Sequence, residues 1–147
     1  MKSQSLSPET FLASVFGVGF IPYAPGTYGT IVAAAIYLSL PKMLFSGQGW
    51  LWFIGFLIIL IAIAVWLSSK AEEKLGYDAP QIVMDEVCGF FLSVFLLPKS
   101  FLMAVYAFGI FRALDIAKPF PIKASQKIPR GWGIVLDDLI AGIYTNI

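Results

Sequence analysis

The chain has 147 residues, 59% of them hydrophobic and 13% charged, with a formal net charge of +1 and a mean hydropathy of +0.82. An average soluble domain carries about 25% charged residues, so a water-soluble fold of this size could not hide so much apolar surface. The charge balance gives no bulk attraction to nucleic acid, and the single cysteine, Cys88, excludes an intramolecular disulfide and a four-cysteine zinc site. What remains is an all-α integral membrane protein forming one domain over 1–147. It should have one clear transmembrane span plus several short or interrupted membrane-associated helices, because long apolar runs without alternation argue against strands.

The lead Met1-Lys2-Ser3-Gln4-Ser5 runs into an apolar stretch, 11–21, broken by Gly17 and Gly19 and followed by Pro22 and Pro25. That pattern makes a poor cleaved signal peptide. In 20–30, the prolines delay a helix, Gly26 and Gly29 permit unusual backbone angles, and Thr27 or Thr30 can cap the next helix. Such a turn offers free N–H groups at a helix start, where proteins often hold phosphate; alone, it is also an ordinary Pro/Gly turn.

A tilted 28–45 segment could cross a membrane, with Pro41 kinking or ending it. The stretch 50–69 is the unambiguous span: it has no charge, the required length, and Trp50, Trp52 and Trp66 as interface anchors. Residues 87–97 and 101–111 are of half-span length, separated by Pro98-Lys99-Ser100. They form either a hairpin of two short helices or one kinked span. The last stretch, 133–147, is split by Asp137-Asp138 and should pack on protein rather than lipid. Cys88 reads as a small packing residue.

Five of the nine acidic residues, Asp85, Glu86, Asp115, Asp137 and Asp138, lie in or against apolar sequence, and the chain has no histidine. A carboxylate in such a setting costs roughly 2.5–3.5 kcal/mol, so it needs a partner or a task. Without histidine, the fitting partner is a hard cation such as Mg²⁺. Each acidic group also has a plain structural explanation. Asp85-Glu86 and Asp137-Asp138 can complement helix N-termini, and Arg112, Asp115 and Lys118, three residues apart, can form a surface ion-pair row. Beside a phosphate and a metal, that same row supplies Arg and Lys for phosphoryl oxygens. Basic residues concentrate in 112–130 and after the span, which places that end, and the acidic groups flanking it, in the cytoplasm.

The turn Pro25-Gly26-Thr27-Tyr28-Gly29, the Asp85-Glu86-x-x-Gly89 helix, the run Phe111-Arg112-x-x-Asp115-x-x-Lys118-Pro119-x-Pro121, and Gly131-x-Gly133-Ile134-x-x-Asp137-Asp138-x-x-Ala141-Gly142 resemble the phosphatidylglycerophosphatase A family. The resemblance spans roughly 17–144. It implies a Mg²⁺-dependent phosphatase of the bacterial inner membrane, converting phosphatidylglycerophosphate to phosphatidylglycerol on the cytoplasmic leaflet. The family's acidic positions carry over to Asp85, Glu86, Asp115, Asp137 and Asp138.

The residues agree with it. Absent histidine excludes a phosphohistidine route, Val94 stands where a cysteine phosphatase needs arginine, and no Asp-x-Asp motif occurs. Direct attack by metal-activated water remains. On this view Asp85, Asp137 and Asp138 lead the metal ligands, Glu86 is a further ligand or the general base, and Asp115 an additional ligand. Arg112 and Lys118 hold phosphate oxygens, assisted by the Gly26-Thr27 turn. The competing readings are a small membrane cation carrier, which Arg112 and Lys118 disfavour, and a non-catalytic subunit of a lipid-synthesis complex.

Overall fold

A computed structural model describes residues 6–147; the lead Met1 to Ser5 lies outside them. The described residues are helical and contain no strand: α1 Pro8–Ala13, α2 Pro25–Ser39, α3 Gly49–Leu75, α4 Met84–Ser93, α5 Phe101–Ala117, α6 Ile122–Ser125 and α7 Gly131–Asn146.

Helix α3 is the one helix among the described residues long and apolar enough to cross a membrane. It extends the expected 50–69 span by a turn and a half at its polar end. Only a third of its most apolar window is buried, and Leu51, Trp52, Ile58, Ile59 and Trp66 stand exposed. Phe101, Leu102, Val105 and Tyr106 of α5 and Ile31, Ile36 and Leu38 of α2 do the same. So large an apolar exterior suits hydrocarbon, not water.

Helix α2 stops at Ser39, and 42–45 forms a separate 3₁₀ turn, so 28–45 is not one continuous segment. Pro41 cannot continue the helix, and Lys99 Nζ covers its last carbonyls by donating to Leu38 O at 2.8 Å and to Leu40 O. Its start also differs from expectation. Pro25 is the first helical residue and Ala24, not a threonine, is the cap; Thr30 Oγ1 donates back to Gly26 O at 2.8 Å.

Helices α4 and α5 are distinct and joined by 94–100, which decides for the hairpin. Ser100 caps α5 by accepting from Met103 N. Helix α4 is the hub, packed on α2, α3, α5 and α7. Gly89 makes this possible: a Cβ there would come within 2.8 Å of Asp138 O and 2.5 Å of the Phe111 ring, while one at Gly142 would meet Gly89 O at 2.5 Å. Small residues let the α4 and α7 backbones touch. Asn146 Nδ2 then donates to Ser93 O at 3.0 Å and to Phe95 O, tying the end of α7 to the end of α4. As expected, α7 packs on protein, with ten buried positions. Cys88 is buried, its Sγ 3.8 Å from Leu60 O of α3.

Away from the acidic residues, Tyr37, Phe45, Trp50, Phe53, Phe90, Phe91 and Phe95 interlock, many edge to face, and make the apolar end rigid.

Candidate active site

At the opposite end, a cavity of about 230 Å³ opens between the start of α2, the 76–83 loop, the start of α4, the end of α5 and the middle of α7. Asp85 and Glu86 enter it from the first turn of α4. Arg112 and Asp115 come from the last turns of α5, and Lys118, in the left-handed region at φ 45°, from its C-cap. Pro119 ends the helix there. Asp137 and Asp138 lie two turns inside α7, so they cap nothing; the N-terminal explanation for that pair fails on position alone.

All five sequence-predicted carboxyls are buried and line this one cavity, together with Arg112, Lys118 and Gly26. Thr27 does not line it, and its N–H is taken by Ala24 O at 3.0 Å. Gly26 meets a steric demand instead: a Cβ would run into the Glu86 carboxylate and come within 3.2 Å of the Arg112 guanidinium. Sequence reasoning missed Asp78, at the exposed rim, and Gln126, whose Nε2 donates to Asp137 Oδ2 at 3.1 Å and Asp78 Oδ2 at 3.4 Å.

Two cations thread the acids together. Lys118 Nζ lies 2.7 Å from Asp137 Oδ2 and 3.5 Å from Asp115 Oδ1. Arg112 donates to Asp115 and stands 4.0 Å from Glu86 Oε1. Burial works against the Lys118 charge, but its hydrogen bond to Asp137 and the charges of Asp137, Asp115 and Asp138 outweigh it and push its pKa up.

The balance is nonetheless unequal. Six carboxyls, Asp78 included, face two cations. Asp85 Oδ1, Glu86 Oε2 and Asp138 Oδ2 are buried without any hydrogen-bond partner. One oxygen each from Asp85, Asp137 and Asp138 lies within 4.8 Å of the others. Buried carboxylate oxygens left unpaired are costly. Asp85 and Asp138 contribute such oxygens and converge with Asp137, which already accepts from Lys118 and Gln126, so the three carboxyls form an all-oxygen set able to hold a metal ion.

The helices and the cavity define a membrane protein with a buried, carboxylate-rich centre beside a membrane-spanning helix. The phosphatidylglycerophosphatase A family matches residues 11–147, and the chain belongs to that family. A Haemophilus influenzae phosphatidylglycerophosphatase A is 35% identical over 149 residues, covering 99% of this chain and 89% of the relative. The Escherichia coli protein of that name is 35% identical over 147 residues, covering 95% and 80%. A Bacteroides thetaiotaomicron protein named as a candidate phosphatidylinositol-3-phosphatase is 32% identical over 151 residues, covering 100% and 94%. No solved structure matches the chain significantly. Family membership makes this chain a phosphatase, which removes the carrier and scaffold alternatives.

Proposed function

We propose that this chain hydrolyses the terminal phosphate monoester of phosphatidylglycerophosphate, releasing phosphatidylglycerol and inorganic phosphate, as a single catalytic domain of the bacterial inner membrane with its cavity on the cytoplasmic side. The observation that carries the chemistry is the set of unpartnered buried oxygens of Asp85, Glu86 and Asp138 in a cavity that also holds Arg112 and Lys118. A site of carboxylates alone would suit a cation; one with a guanidinium and an ammonium inside it suits a cation and a phosphate together.

Asp85, Asp137 and Asp138 would hold the metal, with Glu86 and Asp115 as the nearest additional oxygens. An oxygen-only donor set fits Mg²⁺. When bound, Mg²⁺ supplies neutralisation of phosphoryl charge and a lowered pKa for a coordinated water. The residues do the rest. Arg112 and Lys118 orient the phosphate oxygens and stabilise charge as the P–O bond to glycerol breaks. Asp115 and Asp137 fix those two cations in place. Glu86, with a free oxygen, can accept the proton lost by the attacking water. Gly26 keeps the backbone of α2 clear of Glu86.

Orientation is supported by charge. Lys70, Lys74, Arg112, Lys118, Lys123, Lys127 and Arg130 belong to the cavity end, where Gly131 N donates to Ser69 Oγ at 3.0 Å and Lys74 pairs with Glu9. Lys42 and Lys99 belong to the other, and such asymmetry places the richer end in the cytoplasm.

The test is phosphate release by purified protein from phosphatidylglycerophosphate, phosphatidylinositol 3-phosphate and phosphatidic acid, each in neutral detergent. Preference for the first supports the substrate assignment. Preference for the second, the substrate in the name of the Bacteroides relative, would overturn it while leaving the phosphatase chemistry intact.

A further inference from the structure

Beside the carboxylate cavity lies a second concavity of about 340 Å³, lined by Lys118, Phe120, Lys123, Ala124 and Lys127. Lys118 lines both, so the two are neighbours across that side chain. Their chemistry differs: the first is dominated by carboxyls, the second contains none. Lys118 pairs with Asp137 and Asp115 on the carboxylate side, whereas Lys123 and Lys127 are exposed and form no ion pair among the described residues. Lys123 lies in α6 and Lys127 in the turn that follows, and both face this concavity. That segment is held rigidly. Ile122 is fully buried in a cluster with Phe111 and Ala141, and Ser125 Oγ donates to Ile122 O at 2.7 Å, which points the lysines outward. Phe120, 84% exposed, stands at the groove's edge.

We propose that this groove binds the phosphodiester of the lipid substrate while the carboxylate cavity takes the terminal monoester; the assignment rests on the phosphatase reading above. A headgroup with two phosphates joined through glycerol needs two neighbouring anion sites of unlike chemistry. The phosphate to be cleaved needs carboxylates for a metal and a base. The one to be left intact needs positive charge and no nucleophile, which is what Lys123 and Lys127 offer. The exposed apolar ring of Phe120 suits contact with the upper acyl chain below the headgroup. A concavity shared with Lys118 favours a defined phosphate over diffuse attraction to an anionic bilayer.

The test compares wild type with K123Q/K127Q and with K70Q/R130Q, which removes two charges from the same end of the molecule but outside the groove. With phosphatidylglycerophosphate in neutral detergent micelles, K123Q/K127Q should raise KM about ten-fold at nearly unchanged kcat, and K70Q/R130Q should behave as wild type. Hydrolysis of glycerol phosphate, which has the monoester alone, should be equal in all three. Binding of short-chain phosphatidylglycerol, which has the diester alone, should weaken in K123Q/K127Q by the same factor. Equal loss in both double variants, or loss only when anionic lipid is added, overturns the groove in favour of bulk surface charge. Diester binding that weakens as expected in a protein releasing no phosphate from any substrate would sustain the groove and sink the phosphatase reading instead.

Discussion

Lys118 Nζ stands 2.7 Å from Asp137 Oδ2, so a single side chain joins the C-terminal cap of α5 to the middle of α7. The same ammonium reaches Asp115 at 3.5 Å. Removing it leaves two buried carboxyls facing one another with less compensation. Lys118→Gln should lower stability by about 1.5–3 kcal/mol, the range for a charged hydrogen bond, and depress phosphate release further than the stability loss explains. Thermal unfolding in detergent, paired with a phosphate assay at low temperature, separates the two effects.

The pH dependence of that loss has a definite sign. Lys118 has a folded-state pKa raised above its ordinary 10.5, so its contribution is complete below that value and fades only as pH climbs through the folded pKa. The Tm gap between wild type and Lys118→Gln should therefore stay constant from about pH 6 to about pH 9 and narrow only in stronger alkali. A gap that closes near neutrality would mean the ion pair is not what holds the two helices.

Asp138→Asn should separate folding from chemistry. Asp138 Oδ2 is buried and unpartnered, so neutralising the group removes an electrostatic strain rather than a contact. Without divalent metal, the variant should melt at or above the wild-type temperature. It should lose the stabilisation that Mg²⁺ gives wild type, about 2.7 kcal/mol at a hundred times the dissociation constant, and lose roughly 10²–10³-fold in activity. A variant that unfolds without metal would assign Asp138 to structure.

Two glycines offer a contrast in one experiment. At Gly26 a Cβ would strike the Glu86 carboxylate, whereas at Gly55 in α3 it would meet nothing within 4 Å. Gly26→Ala should cut activity at least ten-fold by displacing Glu86, since small misplacements of catalytic groups are expensive. Gly55→Ala should leave activity intact and stabilise the helix by up to about 1 kcal/mol. Phosphate release and Tm for the two variants, measured side by side, check both.

Much of the cavity was legible from where charge falls. Asp85, Glu86, Asp115, Asp137 and Asp138 stand out because ionised groups in apolar sequence are costly. Arg112, Asp115 and Lys118 share a helical period. Convergence was not legible. Asp137-Asp138 could pass for a helix cap until α7 began at Gly131, six residues earlier. Asp78 follows a polar turn, where an exposed acid is ordinary, and the Gln126 amide carries no charge to flag it. The start of α2 differs from the threonine-capped expectation because Ala24 adopts a left-handed conformation that nothing local predicts. The apolar body of α3 was readable because hydropathy alone marks a segment long enough to cross a membrane, whereas its last turn and a half, which carries Lys70, Glu72, Glu73 and Lys74, was not.

The central claim is that buried carboxyls gather around a divalent ion that supports phosphate release. Its most direct test is hydrolysis of phosphatidylglycerophosphate by the purified protein in neutral micelles, first with Mg²⁺, then with EDTA, then with Mg²⁺ restored. Loss of activity in EDTA and recovery on re-addition is the predicted result. Undiminished turnover in EDTA would contradict it.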